Sequence, residues 1–213
     1  MSELRDFFET RKEEVKQFFV FLDKINNDTN YSSDMTILKS QAILMIYNLI
    51  EGSVNKGIEY IFDKIADNEL RHNEISNDIR VMWFRYFNLH TDDNGQNKQS
   101  LEQIDKFINE IVNIEISQFR KINKSYFSSG TLDSQAIKDI LKKFSINFNI
   151  SEYKLREIKT NRNFLAHGEK SFTEVSQEKT LSDLVELKDK TIEYLEQYIN
   201  AIEEYVDNQR YKI

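Results

Sequence analysis

Cysteine and proline are both absent from the 213 residues, glycine occurs five times and histidine three times. Without cysteine there is no disulfide framework, no thiolate zinc site, no iron–sulfur cluster and no cysteine nucleophile, and a cytoplasmic location is the expectation. Without proline nothing forces a helix to break, and so little glycine argues against a sandwich of many tight turns. Long apolar runs are missing as well. The most hydrophobic stretch, 42–50, is nine residues long and contains Asn48, well short of the roughly 20 residues that span a bilayer. Residues 1–21 mix Glu, Arg, Lys and Phe without an apolar segment or small-residue cleavage site, so no secretory signal is expected. His72, His90 and His167 never stand at i, i+3 or i, i+4. Asp92-Asp93-Asn94-Gly95 has turn residues but not the spacing of a calcium loop, and neither a GxxxxGK[ST] loop nor a GxGxxG turn occurs. A protein metal site, a resident cofactor and a phosphate-cradling loop are therefore not expected.

Charge is abundant. Lys and Arg number 29 against 36 Asp and Glu, and 29 − 36 gives −7. That balance excludes a protein that coats nucleic acid electrostatically, so any nucleic acid must be met locally. A small helical DNA-binding regulator is disfavoured on the same ground. The length suits one compact domain over 1–213.

Apolar residues recur at helical spacing along most of the chain. Ser2 is placed to cap a first helix through Phe8, Val15, Phe19 and Leu22, ending in the polar stretch 26–30. A second helix starts after Ser33 or Asp34 and runs through Leu38, Ala42, Met45, Leu49, Ile58 and Ile65. Gly52 and Gly57 fall inside it, each costing about 1 kcal/mol against alanine, so close approach of another backbone, rather than a kink, is the expectation there. Residues 75–87 read as a third helix closed by the turn at 90–95. Residues 101–122 begin with helical spacing and end in an alternation at Val112, Ile114 and Ile116 that also fits a strand. After Ser129-Gly130, Asp133 caps a short helix reaching Phe144. Ser151 caps another through Leu155, Ile158 and Leu165, which Gly168 stops. The last runs over about 182–205. No period repeats, and the expected fold class is all-α.

Chemistry concentrates at one place, Arg162-Asn163-Phe164-Leu165-Ala166-His167-Gly168. Asn163 and His167 are four apart, one above the other on a helix face. Arg162 is five from His167, about 140° away around an ideal helix, so one helix does not aim both at the same atom. They converge only if Arg162 reaches round the helix or a second copy contributes, which a symmetric dimer would supply. His167 falls at the predicted helix C-terminus, where the macrodipole favours a cation. An imidazole moves protons and a guanidinium grips a phosphate in two places, the parts that metal-free RNA cleavage requires. The same spacing fits a histidine that caps a helix end beside an arginine paired with Glu157 or Glu169. Local charge is consistent with an RNA contact. From 151 to 170 five basic residues against three acidic give 5 − 3 = +2, while 174–207 holds three against ten, 3 − 10 = −7.

This run resembles the R-[polar]-x3-H signature of HEPN domains, small helical proteins of prokaryotic toxin–antitoxin and anti-phage loci. The 130–133 turn with its short helix, Arg11-Lys12-Glu13 in a Phe-rich first helix, and Glu51 in the second are also similar. Residues 88–128 match least and read as a family-specific insertion. The resemblance implies a HEPN-like up-and-down helical bundle with extra helices, a homodimer with facing motifs, and a metal-independent endoribonuclease serving as toxin or defence effector. Arg162 and His167 would be catalytic and Asn163 would orient the phosphate or the histidine. Glu51 and Lys159 would be auxiliary polar groups. An antitoxin or defence-system protein would be the partner. In HEPN toxins silenced by adenylylation a tyrosine stands two places after the histidine, whereas this chain has Glu169. The alternative is a catalytically silent helical module that binds a protein or nucleotide.

Overall fold

The computed structural model describes residues 1–26, 28–68, 70, 72–82, 132–150 and 154–213. The expected segments at 88–128, the turn at 90–95, Ser129-Gly130 and the Ser151 cap lie outside these residues, as does His90. Every regular element described is helical: α1 Glu3–Ile25, α2 Ser32–Asp67, α3 Ser134–Lys143, α4 Leu155–His167, α5 Phe172–Ser176 and α6 Leu181–Asp207. The chain is all-α among the described residues. None of these helices is long and apolar enough to cross a membrane.

Helix α1 starts where the sequence places it, with the Ser2 hydroxyl accepting the Arg5 N–H at 3.1 Å. Its buried stripe is Leu4, Phe8, Lys12, Val15, Phe19, Leu22 and Ile25, and only Lys12 breaks the apolar pattern. Its ammonium sits 2.6 Å from Glu9 and 3.2 Å from Glu196 and lies over the Phe8 ring, tying α1 to α6 while its stem fills the interface. Arg5 and Glu203 form a second ion pair between the same helices. Because 5 meets 203 and 12 meets 196, α1 and α6 are antiparallel.

Helix α2 is the mast of the bundle, and α1, α4, α5 and α6 all pack on it. It passes unbroken through both glycines. The element that approaches Gly57 is a side chain, Tyr198 of α6, rather than the backbone expected. A Cβ on Gly57 would stand 2.5 Å from the Tyr198 hydroxyl oxygen, which donates to Val54 O at 3.0 Å. At Gly52 the neighbour is the Phe7 ring of α1, 3.4 Å from where a Cβ would lie. Phe7 meets Gly52 while Glu3, one turn earlier, pairs with Lys56, one turn later, at 3.9 Å, which makes α1 and α2 antiparallel.

The third predicted helix starts later than its periodicity implied. Ile75 pairs with Lys212 in an antiparallel bridge, Ser76 N–H donates to Tyr211 O at 2.7 Å, and the helical turn occupies 77–82. Ile213 N–H takes Glu74 O at 3.0 Å, the carbonyl that would accept the first bond of a helix starting at 75. Asp133 caps α3 by accepting the Ala136 N–H at 2.9 Å. Helix α5 was not foreseen. It is five residues long, too short to show a period, and is fixed by a capping box between Ser171 and Glu174. Thr180 and Asp183 form another at the start of α6, whose Leu184, Leu187, Ile192, Leu195, Ile199 and Ile202 are all buried.

Candidate active site

Helix α4 carries the motif and is anchored by Leu155 and Ile158, which are buried, and by Phe164 and Leu165, which are partly so. Its last turn ends as the sequence predicts. Gly168 adopts a left-handed φ of 69°, its N–H donates to Phe164 O, and Glu169 N–H reaches the same oxygen at 2.9 Å. His167 is therefore the final helical residue, and it is exposed. There the unpaired carbonyls of the helix end attract a positive charge.

Arg162 is held very differently. Its guanidinium lies over the ring of Tyr47, 4.8 Å from the centroid, and donates to Asn163 Oδ1 at 3.2 Å. Tyr47 is completely buried in the middle of α2, and its hydroxyl accepts the Leu132 N–H at 3.2 Å. The ring is thus held at its hydroxyl tip by Leu132 and covered on one face by Arg162. Stacking of this kind contributes about 0.5–2 kcal/mol, and with one N–H of NH1 given to Asn163 the remaining N–H groups of the fork are left for another acceptor. Among the described residues no carboxylate pairs with Arg162. Glu157, which the spacing offered as a partner, pairs with Lys179 of the loop before α6 instead.

Neither a hydrogen bond nor an ion pair joins Arg162 to His167 among the described residues, as their separation around the helix requires. Asn163 joins Arg162 and not the histidine one turn on. Lys159 reaches back across the bundle and pairs with Asp133 at 2.8 Å, linking the motif helix to the cap of α3. The turn at 132–133 is therefore pinned to α2 through Tyr47 and to α4 through Lys159. Glu51 is one turn beyond Tyr47 on α2. It lines a cavity of about 470 Å³ between α1 and α2, in which no residue of the α4 motif takes part. His72 opens a short 3-10 turn far along the chain from the motif. No three His, Asp or Glu side chains among the described residues gather closely enough to hold a metal ion.

Sequence reasoning missed Tyr47. It sits in the apolar run 42–50 and reads as core, and only its polar tip hints at a second task.

The Asp133–Lys159 link has a pH signature. Burial alone would raise the Asp133 carboxyl, but hydrogen bonds from Lys159 and the Ala136 N–H outweigh it and hold the group below the ordinary carboxylate range. A carboxylate depressed on folding stabilises the fold above its unfolded value, about 3.9, and that stability is lost as pH falls through the folded value. Asp133→Asn keeps a capping side chain and removes the charge. It is expected to lower stability by about 0.5–1 kcal/mol at pH 7, with the gap to the unaltered chain closing below about pH 4. Denaturant melts at pH 7 and pH 3 measure this.

The family model described as MAE_28990-like HEPN matches residues 1–211. No curated protein and no solved structure matches the chain.

Proposed function

The chain belongs to the HEPN domain family, and from that premise we propose that it is a metal-independent endoribonuclease. The observation that carries this reading is the stacked Arg162. A guanidinium fixed on a buried ring, without a carboxylate partner among the described residues, retains donors for a phosphate, and the exposed His167 stands on the same helix. The site is completed when a second copy brings its own α4 alongside, so that Arg162 of one helix and His167 of the other flank one phosphate. The 2′-hydroxyl attacks the adjacent phosphorus and gives up its proton, the new O2′–P bond forms, and the P–O5′ bond breaks. The 5′-oxygen leaves with a proton, and the other strand ends in a 2′,3′-cyclic phosphate. His167 moves one of these protons, and Arg162 stabilises the charge that gathers on the phosphoryl oxygens. The protein would act as the effector of a toxin–antitoxin or anti-phage system, restrained by a partner protein. With Glu169 in place of the modifiable tyrosine, that restraint works by binding rather than by adenylylation.

Incubating purified chain with RNA in EDTA tests the reading. The unaltered protein is expected to cleave, and His167→Ala to be slower by about 10²–10⁴-fold. Equal rates would overturn it.

A further inference from the structure

The cavity between α1 and α2 sits beside the motif without containing any of it. Around an ideal helix Glu51 is about 40° from Tyr47 and one turn further on, and the Tyr47 ring carries Arg162. Glu51 therefore occupies the rim nearest the stacked arginine, and Asn48 and Asn55 continue the same face of α2. Across from them stand Phe7 and Arg11 of α1. Gly52 lies in its floor, where the Phe7 edge packs 3.4 Å from where a Cβ would lie. At about 470 Å³ the cavity is of ligand-binding size.

Its chemistry is selective. Arg11 is occupied, pairing with Glu14 at 3.2 Å and lying over the Phe7 ring. Glu51 is half-buried, and no ion pair reaches it among the described residues. An ionised carboxylate offers acceptors only, and it is best met by two parallel N–H donors. Among the RNA bases guanine alone carries two such donors side by side, N1–H and the N2 amine. Asn48 and Asn55, one turn to either side of Glu51, carry further amide donors and acceptors for the edge of a base, and the Phe7 ring offers an apolar wall.

We infer that the α1–α2 cavity is a guanine-binding subsite, with Glu51 as the residue that determines base specificity. This deepens the ribonuclease reading and rests on it for its purpose: a guanine held there sets which phosphate reaches Arg162 and His167. The ligand chemistry, a guanine edge, has two sources, a base within RNA or a free guanine nucleotide.

The test measures binding with the His167→Ala chain, so that it does not depend on cleavage. Fluorescent tetraribonucleotides UUGU, UUAU, UUCU and UUIU are titrated, and GMP is titrated separately. UUGU is expected to bind at least about tenfold more tightly than UUAU or the inosine probe, which lacks the N2 amine. Glu51→Gln, which presents one acceptor and one donor, is expected to erase that preference while circular dichroism remains unchanged. UUGU binding more tightly than GMP assigns the pocket to RNA, and equal affinity assigns it to the free nucleotide. Equal affinity for all four tetranucleotides, or a preference that survives in Glu51→Gln, overturns the subsite. Failure of the unaltered chain to cleave RNA in EDTA overturns the nuclease reading separately.

Discussion

Gly57→Ala is expected to destabilise the chain by about 2–4 kcal/mol, because the added methyl overlaps a residue that has nowhere to go. Its Cβ would stand 2.5 Å from the Tyr198 hydroxyl oxygen and 2.8 Å from a ring carbon. Tyr198 is fully buried, bonded to Val54 O, and edge-on to Phe148 at 6.3 Å. Moving it aside breaks a buried hydrogen bond worth about 1–3 kcal/mol and opens the α2–α6 seam. The gain in helix propensity, about 1 kcal/mol, offsets only part of this. In thermal unfolding the midpoint should fall by about 5–12 °C. Gly52→Ala is the matched control. Its Cβ meets only Phe7, at 3.4 Å, so its stability should stay within about 1 kcal/mol of the parent.

Arg162→Ala is expected to reduce RNA cleavage by about 10²–10³-fold, the scale of losing one preorganised charge donor. Arg162→Lys should restore no more than about a tenth of the activity, since an ammonium keeps the charge but not the planar fork that stacks and grips in two places. Tyr47 separates platform from substrate contact. Tyr47→Phe keeps the ring under Arg162 and leaves the Leu132 N–H unpaired, so it should cost about 1–2 kcal/mol of stability and leave the rate within about threefold. Tyr47→Leu removes the platform and should lower kcat by about tenfold with KM little changed, because an arginine without its ring samples more rotamers. A residue acting only in stability would not produce that split between kcat and KM.

The helices and their caps are legible in the sequence because each rests on local signals. Ser2, Asp133 and Gly168 announce two starts and a stop, and each acts in the structure as its residue type dictates. Burial periodicity does the same for α1 and α6. What escapes is set by partners distant in the chain. Ile75 looks like the first residue of a helix and instead pairs with Lys212. Lys12 is a charged residue that nothing local marks as core, and it is buried between Glu9 and Glu196. The two mid-helix glycines signal a close approach, but not that Tyr198 makes it.

The candidate site divides the same way. Arg162, Asn163 and His167 stand out because the motif is contiguous, and their roles come from the family resemblance. Tyr47 lies 115 positions earlier, 162 − 47, and is revealed only when α4 folds down on α2. Glu51 and Lys159 are placed by the structure in different surroundings from the motif's own contacts, one in the α1–α2 cavity and one on Asp133.

The most direct test of the central claim is the chemistry of the ends produced. An RNA strand is incubated with the chain in EDTA and the fragments are mass-analysed. A mechanism built on Arg162 and His167 predicts 2′,3′-cyclic phosphate and 5′-hydroxyl termini, absent with His167→Ala and absent when the substrate's 2′-hydroxyls are methylated. Fragments with 5′-phosphate and 3′-hydroxyl ends, or cleavage that persists through the methylated positions, would contradict it.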